Sequence, residues 1–188
     1  MINGAFHYFE DCPVIAAIKD DEGLYGCTQC DSRVVFVLYG TVCNIGDIVG
    51  KIKDAGKTAI VHIDLVAGLS SKEVSVDFIK RDTRADGIIS TRPALLRRAQ
   101  ELSLITIQRY FLIDSIAFQN ITKQLEMYRP DFIEILPGVM PKVIRRLSSC
   151  VNTPIIAGGL VADKEDVMAV LGAGAVAVST TNQVIWEM

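Results

Sequence analysis

Basic residues are not in excess in this chain. Its 188 residues include 19 lysines and arginines against 22 aspartates and glutamates, for a formal charge of -3. With a pI near 5.4, the molecule as a whole lacks the positive balance that drives nonspecific association with nucleic-acid phosphates, so any such site has to be a local patch. No apolar run approaches the roughly 18 residues of a membrane span, and the opening Met1 to Cys12 is too acidic and too interrupted for a secretory leader. Histidine is scarce, with only His7 and His62 present. That leaves no convincing two-histidine set for zinc or for a metal phosphodiesterase, and no metal is expected. The five cysteines, Cys12, Cys27, Cys30, Cys43 and Cys150, are odd in number and scattered. They argue against a disulfide framework and for a reducing cytoplasm. Cys27 and Cys30 have the spacing of half a zinc site or of a redox pair, but no second half accompanies them, and incidental loop cysteines are the default.

Half of the residues are hydrophobic, enough for one sizeable core, and the length suits a single domain over 1–188. Short, β-branched apolar runs recur at Pro13–Ile18, Val34–Leu38, Thr58–Ile63, Gly87–Ser90, Leu104–Gln108, Phe132–Leu136, Pro154–Ala157 and Ala175–Ser179. Runs this continuous suit strands covered on both faces, as in a parallel sheet. Between them lie segments with helical spacing. From Asn44 to Ala55, Ile45, Ile48, Val49 and Ile52 fall three or four apart. Asp114 opens a segment in which Ile116, Ile121, Leu125 and Met127 are read as an apolar side, and Asp163 is an N-cap candidate. Gly56, Arg129-Pro130 and Gly172-Ala173-Gly174 supply stops. Eight strands alternating with helices predict an α/β fold, a compact (βα)8 TIM-like barrel with a truncated last helix; an open doubly wound sheet is the alternative.

In such a barrel, polar residues at the C-terminal ends of the strands face the ligand mouth. That rule selects Lys19, His62, Asp64, Thr91, Arg92, Gln108, Arg109, Glu134, Gly158, Gly159 and Ser179 to Thr181. Ala157-Gly158-Gly159 after the seventh strand and Ser179-Thr180-Thr181 after the eighth stand where many barrels hold a phosphate. Adjacent glycines let backbone N–H groups approach a dianion, and hydroxyls add donors. The ordinary alternative is a tight turn followed by an N-cap. Arg92 and Arg109 suit either charge-assisted anion contacts or internal pairing with Asp64 and Glu134. His62, a lone histidine in an apolar run, is expected to be a core residue. The basic groups Lys51, Lys53 and Lys57; Arg81 and Arg84; Arg97 and Arg98; and Lys142, Arg145 and Arg146 are individually explained as solvated helix faces. An RNA track would require such groups to merge.

A set of ordered matches then appears: Ile60-Val61-His62-Ile63-Asp64-Leu65 with Gly68-Leu69, Ile89-Ser90-Thr91-Arg92, Ile107-Gln108-Arg109-Tyr110-Phe111-Leu112, Glu134-Ile135-Leu136-Pro137-Gly138-Val139, Pro154 to Gly159, and Gly174 to Asn182 with Trp186. Over nearly its whole length the chain resembles the glycerol-3-phosphate-responsive antiterminator family. The resemblance implies a regulator without catalytic residues or cofactor. It would sense glycerol 3-phosphate and bind the leader of glycerol-utilisation messenger RNA so that transcription passes a terminator. It also agrees with the barrel rule. Gly158, Gly159, Ser179 and Thr180 are the expected phosphate ligands, and Asp64, Arg109 and Glu134 the expected glycerol-side ligands, with Lys19 and Arg92 also at the mouth. The segment from Asp20 to Arg33 departs from the family pattern, which leaves the RNA target in doubt. A homo-oligomer remains open. The competing function is a barrel enzyme acting on a small phosphorylated substrate, with Glu134 or Asp64 as acid/base and Arg109 stabilising charge.

Overall fold

The computed structural model describes Phe9 and residues 12–187; His7 lies outside the described residues. The order is β1 (Val14–Ile18), α1 (Asp21–Gln29), β2 (Val34–Val37), α2 (Ile45–Asp54), β3 (Thr58–His62), α3 (Val74–Asp82), β4 (Gly87–Ser90), α4 (Pro93–Glu101), β5 (Ile105–Phe111), α5 (Ser115–Met127), β6 (Phe132–Leu136), α6 (Pro141–Ser148), β7 (Ile155–Gly158), α7 (Lys164–Leu171) and β8 (Ala177–Thr180). All strand pairs are parallel, and β1 pairs with both β2 and β8, closing the ring. The barrel reading holds and the open sheet falls away. After β8 the chain makes a 3-10 helix, Gln183–Glu187, in place of a full closing helix. Its Trp186 is buried, and its indole N–H donates to Thr180 O at 2.8 Å.

Alternation along each strand divides the core in two. Ile15, Phe36, Ile60, Ile89, Ile107, Phe132 and Ile156 fill the barrel interior, and Phe9 meets the edge of Phe132 with ring centroids 5.3 Å apart. The intervening residues, such as Val35, Val61, Ile88 and Ile133, belong to the larger outer layer with the helices. In α2 the four apolar residues identified by spacing are all buried. Asp114 and Asp163 cap α5 and α7 by accepting from Ala117 N and Asp166 N. One assignment needs correction. In α5 only Ile121 and Leu125 are buried, whereas Ile116 and Met127 are 65% and 77% exposed. At about 100° per residue the two pairs project to opposite sides of the helix.

Among the described residues no helix is long and apolar enough to cross a membrane.

Candidate functional site

The interior positions nearest the C-terminal ends of the strands carry His62, Arg109, Glu134 and Ser179 in place of hydrocarbon. Glu134 is 1% exposed. A carboxylate that deep is tolerable only when its oxygens are taken up, and both are: Oε2 accepts from Arg109 Nε at 2.6 Å and Oε1 accepts from Ser179 Oγ at 2.6 Å. Gly158 is the reason they can meet. A Cβ there would stand 2.5 Å from Ser179 Oγ and 2.6 Å from Glu134 Oε1, so a side chain on β7 would split the group.

Above this triad opens a cavity of about 530 Å³. Arg109, Glu134 and Ser179 line its floor, and Gly159, Leu160, Thr181 and Asn182 line one side. Past β7 the chain turns through two left-handed residues, Gly159 at φ 75° and Leu160 at φ 62°. Glycine takes that conformation freely, whereas for leucine it costs about 1–2 kcal/mol, strain of a kind that gathers at binding sites. The loop is laced to the end of β8: Thr180 Oγ1 donates to Val161 O at 3.1 Å and Asn182 Nδ2 donates to Ala162 O at 2.9 Å. Leu160 and Thr181, both in the cavity lining, have no hydrogen-bond partner among the described residues. Their backbone N–H groups are thus unspent.

The expected site residues divide. Arg109, Glu134, Gly158, Gly159 and Ser179 come together at or beneath the cavity. Thr180 also lines it, with its hydroxyl donating to Val161 O and accepting from Asn182 N, and the neighbouring Thr181 lines it too. Asp64 and Arg92 form a separate group. Asp64, in the 3-10 turn Ile63–Leu65, accepts from Ser90 Oγ, Thr91 N and Arg92, the last at 3.2 Å. Neither residue lines the cavity with Glu134. Lys19 is exposed and Gln108 turns away, donating to Gln124 of α5 at 3.4 Å. Asn182, at the end of the run expected after β8, also lines the cavity, together with residues that sequence reasoning missed, among them Leu38, Leu136 and Leu160.

His62 shares the interior layer, 3% exposed, with Nδ1 3.9 Å from Asp64 Oδ2 and no hydrogen bond to it. Burial, and then the positive charge of Arg109, hold its pKa down at about 4. It is neutral in the folded protein near pH 7. Because the unfolded chain takes up a proton near pH 6.5 while the folded chain resists until about pH 4, stability is lost as pH falls through that window. The expected contribution is at most about 1.4 kcal/mol per pH unit. Urea denaturation from pH 7.5 to 4.5 checks it, and His62→Gln should flatten this part of the profile. The Cys27 thiol, buried and donating to Leu24 O, is pushed up to about 12 by burial, which makes it a poor nucleophile. Among the described residues no three His, Cys, Asp or Glu side chains are grouped to hold a metal ion.

Comparison with known proteins adds the following. The family model described as glycerol-3-phosphate responsive antiterminator matches residues 14–186. The uncharacterized protein YgcP of Escherichia coli (strain K12) is 47% identical over 182 residues, covering 97% of this chain and 95% of that protein. The crystal structure of the glycerol uptake operon antiterminator regulatory protein from Listeria monocytogenes superposes with a TM-score of 0.91 at 32% identity, over 95% of this chain and 97% of that one. A glycerol uptake operon antiterminator-related protein from Thermotoga maritima gives 0.83 at 32%, over 93% and 98%. With the barrel closed, the polar floor in place and the match running from the first strand to the final tryptophan, the chain belongs to the glycerol-3-phosphate responsive antiterminator family.

Proposed function

We infer that this chain is a cytoplasmic sensor of glycerol 3-phosphate whose ligand state sets its affinity for the leader RNA of glycerol-utilisation genes. The observation that carries the reading is the two-ended cavity. One end offers unspent backbone N–H groups and the Thr181 hydroxyl at the β7–β8 corner, a donor set suited to a phosphate dianion. At the other end, Arg109 and Glu134 present a fixed donor and acceptor to which a polyol can hydrogen-bond. Glu134 is held by Arg109 and Ser179, and Asp64 by Ser90 and Arg92, so binding suits this floor better than proton transfer.

Calorimetry with glycerol 3-phosphate and with glycerol is the test. The phosphorylated compound is expected to bind at least a hundredfold more tightly, and Gly159→Val, which puts a β-branched residue at φ 75°, should remove most of that preference. Equal affinity for the two compounds would overturn the reading. Reciprocal linkage then requires the factor by which ligand changes RNA affinity to equal that by which RNA changes ligand affinity.

A further inference from the structure

Four groups of basic residues stand out in the sequence, and the structure commits most of the first three, leaving Lys51 without a carboxylate partner among the described residues and Arg97 over the Tyr128 ring, 5.8 Å from its centroid. Lys53 pairs with Asp86 at 2.7 Å and Lys57 donates to the carbonyls of Cys30 and Ser32. Arg81 pairs with Asp82, Arg84 with Asp54, and Arg98 with Asp77 and Glu101. The fourth, on α6, is the one group in which no member pairs with a carboxylate among the described residues. Among the described residues Lys142 and Arg145 have no carboxylate partner, and the Arg146 guanidinium lies over the Phe118 ring, 4.6 Å from its centroid.

Between α6 and α5 runs a groove of about 270 Å³, lined by Phe118 and Gln119 on one wall and Met140, Val143 and Arg146 on the other. Lys142 lies one turn before Arg146 and Lys123 one turn beyond Gln119, while Arg145, next to Arg146 in sequence, extends the basic strip onto the adjacent side of α6. All three are exposed. Asp114 also lines the groove, but its carboxylate accepts from Ala117 N; Glu126 follows Lys123 a turn later. Ile113, in the groove lining, is 82% exposed, and Phe111 and Ile116, close to it in sequence, are 58% and 65% exposed. Cations at the end of α6 offset its helix dipole, but that does not account for aromatic and aliphatic side chains left in water beside them.

We propose that single-stranded leader RNA docks in this α5–α6 groove. One base stacks against Phe118 and Arg146, and the flanking phosphates rest on Lys123, Lys142 and Arg145. The combination of a π-face, a guanidinium plane and unpaired cations along one track is what single-stranded RNA needs. The cavity is smaller than the roughly 300–1,000 Å³ of drug-sized pockets, a fit for one nucleobase. Its lip is also built on the ligand site. The β6–α6 connection that supplies Met140 passes over β7, with Gly138 N donating to Gly159 O at 3.1 Å. It passes so closely that a Cβ on Gly138 would lie 2.8 Å from Gly158 N. A ligand that moves Gly158 and Gly159 therefore moves the groove, a direct packed route between two sites.

This proposal rests on the regulator reading, and the experiment separates the two. Fluorescence anisotropy would follow a labelled leader transcript carrying the terminator, with saturating glycerol 3-phosphate, for wild type, the double variant Lys142→Glu/Arg145→Glu, Phe118→Leu, and Lys80→Glu as a distant control. The double variant should bind RNA at least tenfold more weakly, with a salt dependence shallower by about one per lost phosphate contact. Phe118→Leu should weaken binding several-fold, the control by less than twofold, and glycerol 3-phosphate affinity should not change. RNA binding retained by the double variant overturns the groove assignment alone. If the double variant keeps RNA but loses self-association in sedimentation, the face belongs to a second copy, and the assignment falls likewise. Wild type that ignores the transcript at low salt brings down the regulator reading and this proposal together.

Discussion

Replacing Arg109 with methionine is expected to cost about 3 to 5 kcal/mol of folding stability, the loss usual when one partner of a buried ion pair is removed and the other stays. Glu134, 1% exposed, would keep Ser179 as its donor at Oε1 but lose the guanidinium at Oε2. The informative comparison is the double variant Arg109→Met/Glu134→Leu. With no charge left to desolvate, it should recover most of the loss, since a buried pair and a packed hydrocarbon core are often nearly equal in free energy. Urea midpoints at pH 7 measure both. The recovered variant should still fail to bind glycerol 3-phosphate, which separates the pair's role in the ligand site from its weight in the fold. A single-variant loss below about 1 kcal/mol, the range of exposed pairs, would mean that water reaches the carboxylate.

Gly158→Ala is expected to lower glycerol 3-phosphate affinity at least a hundredfold while costing about 1 to 3 kcal/mol in stability, the usual penalty for a methyl forced into a packed core. The new Cβ would fall 2.5 Å from Ser179 Oγ and 2.6 Å from Glu134 Oε1, so the floor of the cavity has to rearrange. Adding Ser179→Ala removes one of those two collisions. The pair should regain part of the stability and little of the binding, because Glu134 then has no donor at Oε1. Calorimetry and urea denaturation on the same preparations check both halves. Ligand affinity unchanged in Gly158→Ala would place the binding site elsewhere.

What could be read in advance followed from local chemistry. Every strand run coincides with an observed strand to within a few residues, because β-branched clusters between glycine and proline stops leave few alternatives. A rule that selects polar residues by their place at a strand end ignores which side of the sheet they occupy, and in strands apolar on both sides the period of two is hidden. Arg109 and Ser179 lie on the inward parity; Gln108 and Thr180 are their neighbours on the outward one. In α5 the fault is one of helical phase: Ile116 and Met127 lie in water, on the side opposite Ile121 and Leu125. Leu160 at φ 62° carries no local signal at all, since only the finished loop requires a leucine to adopt that conformation.

The ring closes where β1 meets β8, by parallel pairing of Val14 with Val178 and Ala16 with Thr180. These two strands are the farthest apart of the eight in sequence, so the sheet keeps two raw edges until both are in place. The corner proposed for the effector is made from the later of them, and a barrel opened at this seam would lose the proposed site together with its closure.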